Sequence, residues 1–113
     1  MKRNSLIIVF GIFILTANII FGQTNLVITE FMASNEQTLL DEDGDAPDWV
    51  EIYNPNSFEV NLGGWFLTDN ANKLTKWRFP STNMSPYSFM IVFCSGKNRQ
   101  TPGQPLHTSF SLD

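Results

Sequence analysis

Apolar and polar side chains alternate with a period of two along most of the chain beyond residue 25, and this pattern constrains the fold more than any other feature. In the segment 48–54, Trp49, Glu51 and Tyr53 alternate with Val50 and Ile52. Successive side chains of a β-strand point to opposite faces, so the alternation predicts strands. The same reasoning predicts strands at 26–32, 48–54, 58–62, 65–69, 76–79, 87–94 and 106–112.

Turn-forming residues separate these segments, and no window sustains the apolar stripe of a helix. Pairs such as Gly63–Gly64 and proline-containing stretches such as 80–86 fill the gaps. Six or seven short strands at this spacing predict an all-β sandwich or barrel. The segment 87–94 is apolar on both faces, which favours a central strand.

The first residues have the composition of an export signal rather than of a folded domain. Lys2 and Arg3 precede an almost uninterrupted apolar run over 6–15, and cleavage is predicted after Gly22. This predicts a signal peptide over 1–22, a single small domain over 23–113, and a secreted or cell-surface protein. The alternative is an uncleaved membrane anchor, for which the apolar run is short, since a span needs about 20 residues. Contact with a membrane is expected only through this segment.

The charge balance of the predicted domain argues against nucleic acid as a partner. Two of the seven basic residues of the 113-residue chain, Lys2 and Arg3, lie in the signal, so five basic residues face eleven acidic ones. Nucleic-acid binding draws most of its affinity from basic side chains. The only cysteine, Cys94, cannot form an internal disulfide, and its place in an apolar run predicts a buried side chain.

Four aspartates in and after the acidic loop, Asp41, Asp43, Asp45 and Asp48, are candidate calcium ligands. The first three have alternate spacing, and Gly44 permits a tight turn. The loop does not match an EF-hand, whose glycine and bidentate glutamate would fall at Ala46 and Ile52. The alternative is a solvated turn whose aspartates bond their own backbone before the strand.

Other constellations with chemical potential are weak. His107 is the sole histidine, which makes a zinc site improbable, and Ser95 beside Gly96 lacks the pattern of a catalytic serine. Each of the three tryptophans lies inside an apolar alternation, which favours packing in the core. Tryptophan faces bind sugars when exposed, and Trp77, flanked by two basic residues, is predicted to be the most exposed of the three and is the candidate glycan contact.

Six sequence blocks, in order, resemble the bacterial lamin-tail domain. They are LVITEFMASN, DEDGDAPDWVEIYNPNS, VNLGGWFLTDN, TKWRFP, FMIVFCSGK and LHTSFSL, and they cover the chain from Leu26 to Asp113. The resemblance implies an all-β, immunoglobulin-like β-sandwich of the lamin-tail type, in which the motif residues are structural: Trp49, Glu51, Tyr53, Asn54, Gly64 and Trp65. Family members usually continue with further strands, so the domain is expected to be incomplete at its C-terminal end.

The resemblance also implies a function: a non-catalytic binding or adhesion module on secreted or surface proteins of bacteria, with a protein or surface polysaccharide as partner. Calcium is the only cofactor that the sequence suggests. One alternative is the N-terminal fragment of a larger surface enzyme, a hydrolase or a kinase-like protein of the spore-coat-protein-H type. The other is a carbohydrate-binding module that uses Trp77.

Overall fold

The computed structural model describes residues 7–11 and 24–112, and these residues form nine strands and no helix. The strands are β1 (Ile8–Gly11), β2 (Val27–Met32), β3 (Asp48–Tyr53), β4 (Val60–Asn61), β5 (Trp65–Thr68), β6 (Trp77–Arg78), β7 (Asn83–Met84), β8 (Phe89–Cys94) and β9 (Leu106–His107). Among the described residues, no helix is long and apolar enough to cross a membrane.

The strands assemble into three sheets. The largest has the order β2-β3-β8-β9, in which β9 runs parallel to β8 and the other neighbours are antiparallel. A three-stranded sheet has the order β1-β5-β6, and β4 pairs with β7. The predicted central position of the 87–94 strand is confirmed, since β8 lies between β3 and β9.

One apolar core joins the sheets. The four-stranded sheet contributes Val50, Ile52 and Val92, while β5 and β6 contribute Leu67 and Trp77, all in a single buried cluster. Alternation along β3 explains which of its side chains enter the core, because Val50 and Ile52 lie on one face of the strand and its motif residues lie on the other. The all-β sandwich predicted from the sequence is confirmed.

The glycine pair before β5 forms the turn that brings Trp65 into this core. The Trp65 amide donates to the carbonyl of Leu62 at 2.9 Å, and Gly64, the third residue of this turn, has φ +89°. A positive φ at that position is the mark of a type II turn, which glycine adopts at little steric cost.

Two predictions of local structure need correction. Asn83–Met84 forms a short strand inside a segment predicted to be a turn, because Asn83 pairs with Asn61 across the small sheet. The predicted strand 106–112 is a strand only at Leu106–His107, and the residues after it make one isolated bridge between Ser111 and Ser95. Residues 8–11, predicted as signal, form β1; most of the predicted signal and its cleavage point lie outside the described residues.

The outer face of the four-stranded sheet is divided into a covered and an open half. Trp49, Phe93 and His107 are cross-strand neighbours on this face, and all three are buried. The loop between β2 and β3 covers this half. At the other end of the same strands, Tyr53 lies between Val27 and Phe89, and this row faces solvent.

Candidate functional site

The acidic loop closes on itself through Asp41. One carboxylate oxygen of Asp41, Oδ1, accepts the backbone amides of Asp43 and Asp45, each at 2.9 Å. The Asp41 amide donates to the carbonyl of Asp45 at 2.8 Å, and Gly44 takes φ +80° inside the turn. The solvated-turn interpretation therefore describes the backbone of this loop, although the Asp41 side chain itself is fully buried.

An ammonium group lies among the three aspartates that were predicted to bind calcium. The Nζ atom of Lys97 contacts Oδ2 of Asp41 at 2.5 Å and Oδ2 of both Asp43 and Asp45 at 2.9 Å. One carboxylate oxygen of each aspartate lies within 4.8 Å of the others, which is the clustering that a cation requires. The chain thus supplies its own cation at this position, and calcium binding stays a prediction that would require Lys97 to move.

Asp48, the fourth predicted ligand, lies in a different environment. Its Oδ1 atom accepts the backbone amides of Ser34 at 2.7 Å and of Asn35 at 3.4 Å. Ser34 has φ 57°, an unfavourable conformation for a residue with a side chain, and these bonds stabilise it. Asp48 therefore fixes the entry of the loop onto β3 and is not grouped with the other three aspartates.

Arg99 and His107 extend the ionic cluster. Arg99 contacts Oδ2 of Asp43 at 2.7 Å and Oε2 of Glu42 at 3.2 Å, while Nε2 of His107 lies 2.6 Å from Oε1 of Glu42. We call the set Asp41, Glu42, Asp43, Asp45, Lys97, Arg99 and His107 the acidic clasp. It joins the β2–β3 loop to the segment after β8 and to β9.

The pKa values within the acidic clasp show how strongly its charges are paired. Hydrogen bonds from Arg99 and then Lys97 lower the pKa of Asp43 to about 2. Burial alone would raise the pKa of Asp41, but the bonds from Lys97 and from two backbone amides outweigh it and lower this pKa. The three aspartates in turn raise the pKa of Lys97. Asp41, Asp43 and Lys97 are thus ionised at neutral pH.

Ser95, His107 and Glu42 form a line with the residue types of a hydrolase triad, although no triad was predicted. Ser95 Oγ lies 2.8 Å from Nδ1 of His107, whose other nitrogen faces Glu42. Two observations favour a structural role. The imidazole is fully buried and stacked on Phe93, and Ser95 Oγ already accepts the amide of Lys97 at 3.0 Å. In a triad the histidine must also reach the leaving group of the substrate as a general acid, which a fully buried imidazole cannot do.

Among the motif residues, Asn54 has the densest hydrogen bonding. Its Nδ2 atom donates to the carbonyls of Phe58, Met84 and Ser85 at 3.0, 3.2 and 3.0 Å, and its Oδ1 accepts two bonds from Asn56. The side chain is fully buried. It therefore ties the end of β3 to two turns at once.

The remaining motif residues are packing or surface groups. Trp49 and Trp65 are buried, and the Trp49 Nε1 atom finds no acceptor among the described residues. Glu51 accepts the Thr29 hydroxyl at 2.8 Å, and the Tyr53 ring lies 4.6 Å from that of Phe89 between centroids.

The prediction that Trp77 is the most exposed tryptophan is wrong. Only 3% of Trp77 is accessible, less than for Trp49 or Trp65, and its Nε1 donates to Oδ1 of Asn98 at 3.0 Å. Its ring packs edge-on against Phe79 in the core. No face of this ring is free for a sugar. Arg78, the next residue of β6, is exposed on the opposite face of the strand, which is what alternation requires.

The open row Val27–Tyr53–Phe89 was missed by sequence reasoning, which noted only that the 87–94 segment is apolar on both faces. Phe89 is 59% exposed and Val27 is 43% exposed. Next to the row, Glu30 and Glu51 are register partners, and neither has a basic partner within the described part of the chain. The sequence pattern that could have revealed this row is the alternation that places Tyr53 and the charged Glu51 on the same face of β3.

The chain matches the family described as the lamin tail domain over residues 21–112. No curated protein and no solved structure matches it. The matched range contains every motif residue and the whole acidic clasp.

Proposed function

The chain belongs to the lamin tail domain family, an immunoglobulin-like β-sandwich that is typically non-catalytic, and from this we propose that it is a secreted or cell-surface binding module. The observation that carries this proposal is the open row Val27–Tyr53–Phe89 on the outer face of the four-stranded sheet. The half-buried Tyr53 and the exposed Phe89 already lie in ring contact, so they bind a partner at low entropic cost, since few rotamers remain to be fixed.

The charges beside the row indicate the chemistry of the partner. Glu30 and Glu51 lie on the same sheet and have no basic partner among the described residues. Apolar contact in the centre and charge complementarity at the rim are typical of protein interfaces. These features favour a protein surface with apolar and basic groups over a polysaccharide or a nucleic acid.

Export is supported by the order of residues at the N-terminus, where basic side chains precede the apolar run that ends before Gly22. The test is expression of the full gene in a bacterium, followed by mass spectrometry of the protein outside the cytoplasm. We expect an exported chain that begins at Gln23. A chain that stays in the cytoplasm with Met1 intact would refute export.

Binding is tested by adding fluorescently labelled protein to intact cells of the organism that makes it. Phe89→Ser removes the most exposed ring of the row, whereas Leu74→Ser removes a comparable apolar side chain, 44% exposed, from the β5–β6 connection. We expect the first variant to lower the bound fraction at least fivefold and the second to leave it unchanged. Equal effects of both variants would exclude this face as the binding site.

An enzyme activity of the whole gene product would reside in sequence beyond Asp113. Sequencing the gene downstream of that codon separates the two possibilities, because an open frame that encodes a catalytic domain would make this chain the positioning module of a surface enzyme.

A further inference from the structure

The edge of β5 is occupied by residues that the sequence assigns to the export signal. β1 pairs with β5 in antiparallel register over four residues, with Ile8 opposite Thr68 and Val9 opposite Leu67. The side chains of Ile7 and Val9 pack against the apolar core. The segment 7–11 therefore completes both the hydrogen bonding of β5 and part of its packing.

β5 itself is a strand that needs a neighbour on this edge. Its other edge pairs with β6, and Leu67 and Thr68 are fully buried. None of its residues is charged, none is proline, and no register shift interrupts its pairing with β1. Unpaired edges without such protection bind further strands.

Both edges of the four-stranded sheet, unlike the edge of β5, are protected by residues outside 7–11. Its edge strand β2 carries a register shift between Ile28 and Glu30, which interrupts a regular edge, and Glu30 adds a charge. At the opposite edge, β9 is paired further by a bridge between His107 and Arg99. Of the edges described, that of β5 is the one that depends on residues 7–11.

We propose that, once the signal is removed, the edge of β5 accepts an extended apolar segment of a partner protein as an added antiparallel strand. This inference rests on the export that is part of the proposed function. The partner segment is defined by the strand that occupies the edge in this structure: about four extended residues, no proline, no charge, and apolar side chains at the alternate positions held by Ile7 and Val9.

The physics of strand addition fits this edge. Main-chain hydrogen bonds supply affinity, and pockets for alternate side chains supply specificity. Both components are visible here, the first in the register of β1 with β5 and the second in the contact of Ile7 and Val9 with the core. This surface is distinct from the open row, which lies on the four-stranded sheet.

The experiment uses the full chain with a specific protease site inserted after Gly22. The folded protein is left intact or cut, and it is then incubated to equilibrium with a labelled peptide that contains residues 6–12 between added lysines. Binding is measured by fluorescence anisotropy, and hydrogen exchange locates the protected amides. The matched control is the same peptide with Val9→Asp, which places a charge at a position that packs against the core.

We expect the cut chain to bind the peptide at least tenfold more tightly than the intact chain, whose own strand competes at a high effective concentration. The Val9→Asp peptide should bind at least tenfold more weakly, and protection should appear over Trp65–Thr68. Equal binding by intact and cut chains, equal binding of the two peptides, or protection of β2 instead would each overturn the proposal.

A second copy is the other occupant that the experiment can reveal. If the cut chain dimerises and excludes the peptide, the edge belongs to a self-interface and the partner-strand proposal is wrong. The N-terminus of the exported protein is measured separately, so a retained leader would refute export without altering the result obtained on the cut chain.

Discussion

The replacement Asn54→Ala provides the sharpest test of how this fold is held together. The alanine removes a buried amide whose nitrogen reaches three carbonyls and whose oxygen accepts two bonds from Asn56. Water cannot readily replace the donor lost by the Met84 carbonyl, because that bond is buried, whereas Phe58 is exposed and the Ser85 carbonyl keeps two bonds from Ser88. An amide has two hydrogens, so at least two carbonyls lose a well-formed bond.

The magnitude follows from the one buried carbonyl and from the other lost bonds. A buried polar group left without a partner costs about 1–3 kcal/mol and each further hydrogen bond lost costs about 1 kcal/mol, which gives about 3–5 kcal/mol for the variant. A domain of this size unfolds with a free energy of about 5–12 kcal/mol, so the loss is a large fraction of the total. At a urea dependence of about 1.5 kcal/mol per molar, the midpoint should fall by roughly 2–3 M.

The assay is a urea titration followed by tryptophan fluorescence and by circular dichroism. Asn56→Ala is the matched control, because it removes one partner of Asn54 and a bond to the exposed carbonyl of Asn25, and it should cost less than about 1 kcal/mol. Asn54→Asp keeps the shape but turns a donor into an acceptor against three carbonyls, and it should destabilise at least as much as alanine. The reasoning is refuted if Asn54→Ala costs less than about 1 kcal/mol or no more than the control.

Three further predictions concern the acidic clasp and the thiol. Hydrogen bonds from Arg99 and then Lys97 lower the pKa of Asp43 to about 2, so the contribution of this carboxylate to stability is complete above pH 4 and is lost as the pH falls toward 2. The melting temperature of the wild-type protein should therefore drop more steeply over that window than the melting temperature of Asp43→Asn. Calcium should leave the wild-type melting temperature unchanged but raise that of Lys97→Met, where the aspartates lose their ammonium partner; an equal rise in both would show that calcium displaces Lys97. Burial raises the pKa of the Cys94 thiol to about 12, so iodoacetamide at pH 8 should alkylate it only after urea is added, and fast labelling of the native protein would contradict its burial.

The strands that could be predicted from the sequence are those in which burial follows alternation. β3 and β5 lie where their alternating patterns placed them, and the glycine turn before Trp65 has the expected conformation. β7 could not be found in this way, because a strand of two residues is too short to show an alternating pattern and its partner β4 is distant in the sequence. The apolar run at 6–15 has no alternation that separates a strand from an export signal, so β1 was not predicted either.

Only the part of the candidate site that lies within one loop could be predicted from the sequence. The spacing of Asp41, Asp43 and Asp45 correctly indicated carboxylates that converge, since they lie in one turn. Lys97 lies 56 residues from Asp41, and no local pattern reports a contact at that separation. The error at Trp77 had a different cause: its charged neighbours were taken to indicate exposure, whereas alternation along β6 places Trp77 on the face opposite to Arg78.

The acidic clasp and the open row are linked through the one face of the sheet that they share. The clasp holds the β2–β3 loop over His107 and its neighbours Phe93 and Trp49, so this half of the face is buried by a loop rather than by a second sheet. Paired charges at a surface contribute little to stability one at a time, but a network that fixes a loop determines which apolar groups remain in water. In this fold the clasp leaves the row with Tyr53 and Phe89 exposed. The position of the proposed binding face is therefore a consequence of ion pairing at the opposite end of the same strands.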